Sequence, residues 1–208
     1  ISQLQTPNEV LLVARQWQGT RPDARPALAA LSVTGEGSHG HPSAALRMTG
    51  EGSHGHPSAA LRATGGWTLY LDTIQDPGNL GTIIRIADWF GIPDVVCSTG
   101  CAELFNPKVV QSTMASLARV NVWYDGAGDW LPAQQVPVLA AALDGVSLYE
   151  YQNNAGGILL IGNESKGLRP ELLERATEKI TIPRLGGAES LNAAVATGII
   201  VSHLVAAR

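Results

Sequence analysis

One short segment constrains the fold of this chain more than any other: the apolar run GILLI at Gly157–Ile161. A continuous apolar run next to glycine is typical of a strand buried on both faces, as in parallel sheets. The segment WTLYLD at residues 67–72 predicts a second buried strand. Strand-like segments alternate with helical patterns from there to the end of the chain, which predicts an α/β fold. We expect a three-layer parallel sheet with helices on both faces.

The first predicted helix begins near Asn79 and ends at Gly91, with Leu80, Ile83 and Ala87 on one apolar face. Residues 10–14 could supply an additional strand. The remaining predicted elements are strands at residues 94–98, 120–124, 136–143 and 179–183 and helices at residues 106–118, 169–176 and 190–207.

The composition is that of a globular protein, with 45% hydrophobic and 15% charged residues among 208. No apolar run reaches the roughly 18 residues that would span a bilayer, so we expect no membrane partner. Polar residues lie close behind Ile1, so we expect no signal peptide, and the start without Met suggests a trimmed or excised domain. Its net charge of −4 disfavours nucleic acid as a partner, although a local basic patch can coexist with that average.

The two cysteines, Cys97 and Cys101, are too few for a disulfide scaffold and lack nearby zinc ligands. We interpret them as reduced thiols beside a strand end, which points to a cytoplasmic protein.

A 14-residue segment, TGEGSHGHPSAALR, occurs twice without change, at residues 34–47 and 49–62. Its four histidines could form a metal site, since histidine-rich tracts can bind metals. The alternative, which we prefer, is a duplicated surface loop, because the repeat is too poor in apolar side chains to form a core.

Polar, glycine-bearing segments follow three of the predicted strands. In the first, at residues 76–88, Asn79 is placed to cap the helix. Arg85 lies about 100° or more from the apolar stripe. It is either a solvated side chain or a group that binds phosphate or lowers the pKa of a nearby hydroxyl.

The other two segments, at residues 161–168 and 182–192, follow the carboxyl ends of strands, where ligands bind in open α/β sheets. Each could also be an ordinary turn. The last helix is apolar or small on nearly every side, which indicates a subunit interface, and we interpret His203 within it as packed or surface-pointing. The chain has no dinucleotide-binding, P-loop or nucleophile-elbow motif.

Together, in this order and spacing, the three segments resemble the signature motifs of the SpoU (TrmH-like) branch of the SPOUT methyltransferases, over residues 67–208. The resemblance implies a C-terminal deep trefoil knot, a homodimer, and S-adenosylmethionine as cofactor without a metal. By position, Gly162, Ile182 and Leu191 are similar to the family's cofactor-binding residues, and Leu143 is a further candidate.

The resemblance also implies the reaction: methylation of a ribose 2′-hydroxyl in a structured RNA, either tRNA or rRNA. Arg85 stands where the family has its catalytic arginine, and Asn79, Glu164, Ser190 and Asn192 match further motif positions. A ribose hydroxyl has a high pKa, so its attack on a methyl group needs proton removal and close alignment.

The domain organisation follows from the same resemblance. Residues 1–14 resemble the lead-in from an N-terminal region, residues 15–66 form a connection that contains the repeat, and residues 67–208 are the catalytic domain. Two alternatives stay open: a catalytically inactive knotted dimer that binds RNA, and a SPOUT enzyme that methylates a base.

Overall fold

Six parallel strands organise the part of the chain that the structure, a computed structural model, describes: residues 66–152 and 156–206. Their order across the sheet is β3-β2-β1-β5-β4-β6. The strands are β1 (Trp67–Leu71), β2 (Asp94–Ser98), β3 (Asn121–Asp125), β4 (Val138–Ser147), β5 (Gly157–Ile161) and β6 (Glu178–Thr181). The predicted parallel α/β architecture is confirmed, and GILLI forms β5, an interior strand between β1 and β4.

The register of the sheet explains the main core. Leu69 pairs with Val95 on one side and with Leu159 on the other, so these side chains lie on the same face of the sheet. All three are fully buried in the principal hydrophobic cluster. The neighbouring positions, such as Tyr70 and Leu160, point to the opposite face and are also buried, which is why β1 and β5 read as continuous apolar runs.

Four helices accompany the sheet: α1 (Pro77–Trp89), α2 (Pro107–Thr113), α3 (Pro170–Leu173) and α4 (Ala193–Ala206). The buried side of α1 consists of the predicted residues, and it joins α2 and α4 on the face of Leu69. Short 3₁₀ turns lie at Ser116–Ala118 and Leu131–Ala133.

The start of α1 corrects the predicted cap. Asp76 is the N-cap, because its Oδ1 accepts a hydrogen bond from the backbone N–H of Asn79 at 2.8 Å. Pro77 fits the first helical position, where no intrahelical N–H bond is required. The helix therefore begins two residues earlier than predicted, and the side chain of Asn79 is free for another contact.

Several other predicted bounds were wrong. The predicted helix 106–118 ends at Thr113, because Met114 and Ala115 have left-handed φ angles of 48° and 69°. The predicted helix 169–176 is a single turn, α3, and the last helix begins at Ala193 instead of Ser190. Strand β4 continues to Ser147 through an irregularity between Ala141 and Val146.

The predicted strand at residues 10–14 and the connection at residues 15–66, with its repeat and histidines, lie outside the described residues. Within those residues, none of the helices combines the length and the apolar character needed to cross a membrane. Cys97 and Cys101 are free thiols at the end of β2 and just after it, as predicted. His203 is partly buried and makes an edge-on contact with Tyr149.

Candidate active site

A cavity of about 920 Å³ opens at the carboxyl ends of β5 and β6, beside the middle of β4. Two loops form most of its wall: the Gly162 loop (residues 162–168), which follows β5, and the Ser190 loop (residues 182–192), which follows β6. Its volume is within the roughly 300–1,000 Å³ typical of pockets for small molecules and cofactors. The four predicted cofactor-binding residues all line it: Leu143, Gly162, Ile182 and Leu191.

The Gly162 loop is closed on itself by backbone and side-chain hydrogen bonds. The backbone groups of Asn163 and Gly167 bond each other in both directions, at 3.1 and 2.8 Å. The Asn163 Oδ1 accepts hydrogen bonds from the N–H groups of Ser165 and Lys166 at 2.9 and 3.2 Å. A Cβ atom at Gly162 would lie 2.4 Å from the carbonyl carbon of Gly167, so the loop closes this tightly only with glycine there.

A chain of polar side chains joins this loop to α1 and α4. The Nδ2 of Asn79 donates a hydrogen bond to Oε1 of Glu164. The Oδ1 of the same amide accepts a hydrogen bond from Asn192 Nδ2 at 2.8 Å. Three of the five predicted catalytic residues therefore form one network, although they lie as far apart in sequence as residues 79 and 192.

Asn192 also fixes the beginning of α4. Its Oδ1 accepts hydrogen bonds from the backbone N–H groups of Ala194 and Val195 at 3.0 and 3.2 Å, which is the geometry of a helix N-cap. One amide therefore caps α4 and, through its other atom, contacts Asn79. The Ser190 loop and the start of α1 are held in register by this residue.

Arg85 and Ser190 lie outside the network. Arg85 is on the solvent face of α1, and its side chain makes no hydrogen bond or ion pair with any described residue. It is six residues beyond Asn79, about 9 Å along the helix axis. Ser190 lines the cavity together with Glu164, and its hydroxyl bonds no group within the described part of the chain. The arrangement therefore places an unpaired guanidinium on the helix that carries Asn79.

The charge at the beginning of α1 is fixed by its cap. The N–H of Asn79, and after it Lys108 at 3.2 Å from Oδ2, lower the pKa of Asp76 below its ordinary value. Asp76 is therefore ionised at neutral pH and interacts favourably with the helix dipole.

Sequence reasoning missed three residues that shape the site: Asn163, Asp72 and Arg169. Asn163 was within the second motif but had no assigned role. Asp72 follows a buried strand directly, and a carboxylate in that position is a signal of an unseen partner. Nothing in the sequence identifies Arg169 as that partner.

In residues 66–152 and 156–206, no group of three histidine, cysteine or acidic side chains could hold a metal ion. The absence of a metal from the reaction stays a prediction.

These features define a class: a parallel α/β protein with a cofactor-sized cavity at the carboxyl edge of its sheet and an amide–carboxylate network at the rim. The model of the SpoU rRNA methylase family matches residues 66–202. The chain belongs to this family.

Relatives and solved structures agree with this assignment. The chain is 40% identical over 140 residues to the 23S rRNA (guanosine(2553)-2′-O)-methyltransferase RlmP of Bacillus subtilis, which covers 65% of this chain and 56% of the relative. A TrmH-family protein from Porphyromonas gingivalis superposes with a TM-score of 0.64 and 45% identity, over 69% of this chain and 60% of that one. An AdoMet-bound rRNA methyltransferase from Sinorhizobium meliloti superposes with a TM-score of 0.63 and 35% identity, over 67% and 56%. The chain spans about half the length of the curated relatives that it matches.

Proposed function

We propose that residues 67–208 are the catalytic domain of an S-adenosylmethionine-dependent RNA ribose 2′-O-methyltransferase that acts on tRNA or rRNA. One observation carries the proposal: the cavity at the carboxyl ends of β5 and β6 adjoins the Asn79–Glu164–Asn192 network, and Asn79 is on the same helix as Arg85. The family assignment and the 2′-O-methyltransferase name of the Bacillus subtilis relative support it.

The residues of the cavity fit the cofactor. Leu143, Ile182 and Leu191 offer apolar walls for the adenine and the side chain of the methionyl group, and the two loops present backbone polar groups around them. When bound, S-adenosylmethionine supplies a methyl group that its sulfonium makes electrophilic. The AdoMet-bound Sinorhizobium meliloti structure supports this choice of cofactor.

The chain's own residues would prepare the ribose hydroxyl. In the reaction a bond would form between the 2′-oxygen and the methyl carbon as the carbon–sulfur bond breaks, with that electron pair left on sulfur and the hydroxyl proton released to solvent. Because the guanidinium of Arg85 has no partner among residues 66–152 and 156–206, it would be available to bind an RNA phosphate and to stabilise negative charge on the 2′-oxygen. Asn79 and Asn192 would keep Glu164 in a fixed orientation beside the reacting groups.

The proposal includes a third layer and a knot. Leu172 of α3 is buried outside the core that α1, α2 and α4 share, in keeping with helices on the second face.

For the trefoil knot, the supporting feature is the path of the chain after β6. It leaves the edge of the sheet, lines the same cavity as the Gly162 loop, and reaches α1 near Ile86 through α4.

We also infer a homodimer in the cytoplasm. On α4 and the residue just before its cap, Leu191 and Val195 are 46% and 52% exposed and Ile199 is partly exposed, at a spacing that forms one apolar stripe. A second copy of the chain is the partner that we expect to cover this stripe, as the family resemblance implies.

The two free thiols support the cytoplasm as the compartment, because they are in keeping with a reducing environment.

Methyl transfer tests the activity and the role of Arg85 together. The full chain is incubated with methyl-labelled S-adenosylmethionine and unmodified RNA, and the product is digested with alkali. We expect label in a linkage that resists cleavage, because a methylated 2′-oxygen cannot attack the adjacent phosphate. Arg85→Ala should lower the rate on the order of 10²- to 10³-fold, as loss of a transition-state charge stabiliser does elsewhere, with cofactor affinity unchanged.

Arg175→Ala is the matched control, because Arg175 is also exposed and its guanidinium has no partner among the described residues. It should transfer methyl groups at the wild-type rate. A methyl group that stays on the base after nucleoside digestion would instead identify a base methyltransferase. Failure of the wild-type chain to bind S-adenosylmethionine would favour the RNA-binding protein without catalytic activity.

A further inference from the structure

An ion pair between a buried carboxylate and a half-exposed arginine connects the end of β1 to the residue that follows the Gly162 loop. We propose that Asp72 and Arg169 are positioning residues for the cofactor: together they hold the loop that forms one wall of the cavity against the strand that leads into α1. This inference rests on the proposed function, because it assigns the pair to the cofactor site.

The carboxylate of Asp72 is a charged group in a buried environment. Its side chain is only 1% exposed, at the end of a strand of apolar residues. Arg169 contacts both of its oxygens: Nε donates to Oδ1 at 2.8 Å, and the backbone N–H donates to Oδ2 at 2.9 Å. Burial of a carboxylate costs free energy unless a paired charge and hydrogen bonds offset it, so the contact requires Arg169 in this position.

The other end of the loop is attached to the next residue of the same strand end. Asn163 Nδ2 donates a hydrogen bond to the carbonyl oxygen of Thr73 at 2.9 Å. Thr73 itself has a left-handed φ of 59°, and its N–H donates to Ser98 Oγ at 2.9 Å. Consecutive residues of the β1 end, Asp72 and Thr73, therefore hold the two ends of the Gly162 loop.

This attachment determines where two site residues lie. Gly162 lines the cavity, and Glu164 reaches Asn79 from the same loop. The ion pair attaches the loop to the end of β1, and the Glu164 contact attaches it to α1, the helix that follows β1. Without the ion pair, the loop would keep its Asn163 and Glu164 contacts and the backbone bond of Arg169, and the cavity wall would be held less firmly.

Calorimetric titration of the full chain with S-adenosylmethionine tests the role. Arg169→Ala should weaken binding by about tenfold, because displacement of a loop by an ångström is enough to lose that much. Arg169→Lys should recover part of the loss, since it keeps a positive charge beside the Asp72 carboxylate, whereas both variants keep the backbone N–H. The double variant Asp72→Asn with Arg169→Ala should stay weak, because it removes the buried charge without restoring the attachment. Arg175→Ala, six residues further along the chain, should bind like wild type.

The outcomes separate the two proposals. If the wild-type chain does not bind S-adenosylmethionine, the proposed function fails and this inference fails with it. If wild type binds and Arg169→Ala binds equally well, with or without a lower melting temperature, only the positioning role is overturned. Recovery of affinity in the double variant would also overturn it, because the loss would then come from an uncompensated charge.

Discussion

Asn79 makes two different hydrogen bonds with the two ends of one amide. Its nitrogen donates to Glu164 and its oxygen accepts from Asn192, a combination that an isosteric carboxylate cannot reproduce. The sequence analysis selected this asparagine both as a helix cap and as a position of the family motif, and the predicted cap was wrong. The cap is Asp76, and the freed amide connects three segments that are distant in sequence.

Asn79→Asp should destabilise the site, because it replaces the donor with an oxygen that faces the carboxylate of Glu164. We expect a loss of about 1–2 kcal/mol in the free energy of unfolding, since the groups are partly buried. Adding Glu164→Gln supplies a donor to the new carboxylate and should recover most of that loss. Urea denaturation of the two single variants and the double variant measures the coupling. Additive effects in the double variant would contradict the contact.

At the scale of the elements, close packing of α1 on α2 depends on one glycine. A Cβ atom at Gly81 would lie 2.5 Å from Ser112 Cβ and 2.7 Å from the carbonyl oxygen of Val109. Gly81→Ala should therefore lower stability by about 1–3 kcal/mol through overpacking, despite the better helix propensity of alanine. Thermal unfolding followed by circular dichroism measures the change.

Gly198 on α4 is the matched control for that prediction. A Cβ atom there would lie 3.6 Å from Ile86 Cδ1, an ordinary van der Waals contact. Gly198→Ala should leave stability unchanged or raise it by up to about 1 kcal/mol, as expected from helix propensity alone. Equal losses at both positions would show that the spacing of α1 and α2 is not what Gly81 provides.

The sequence predicted the elements well where local patterns decide them. Strands β2 and β5 have the predicted bounds, and the buried side of α1 has the predicted residues. The break after Thr113 was not predictable, because neither Met114 nor Ala115 is a residue type that favours a left-handed conformation. The order of the strands and the pairing of Asp72 with Arg169 were also beyond local patterns, since both depend on contacts between distant segments.

The site was predicted in part. The motif resemblance selected four residues that line one cavity and three that share one network, so the spacing of the motifs carried real geometric information. It gave no indication of which residues attach the Gly162 loop to β1. Hydrogen bonds to a buried carboxylate become visible only when the fold brings the strand end and the loop together.

At the scale of the whole molecule, the apolar stripe of α4 predicts the oligomeric state. Val195→Glu places a charge in the middle of the stripe and should convert a dimer into a monomer that keeps its circular dichroism spectrum. Sedimentation velocity of the full chain measures the change. A wild-type chain that sediments as a monomer at micromolar concentrations would contradict the homodimer.

The strand order has a consequence for how the molecule folds during its synthesis. Strand β5 lies between β1 and β4, and Trp67 pairs with Gly157, which the ribosome adds 90 residues later. In the described sheet, β4 pairs with β5 and β6. It can therefore join β1 only after β5 has been synthesised. The half made of β3, β2 and β1 can assemble first, and it presents an open apolar edge until then. Because the cavity is lined by β4, β5 and β6, we expect it to be completed only after the first three strands have paired.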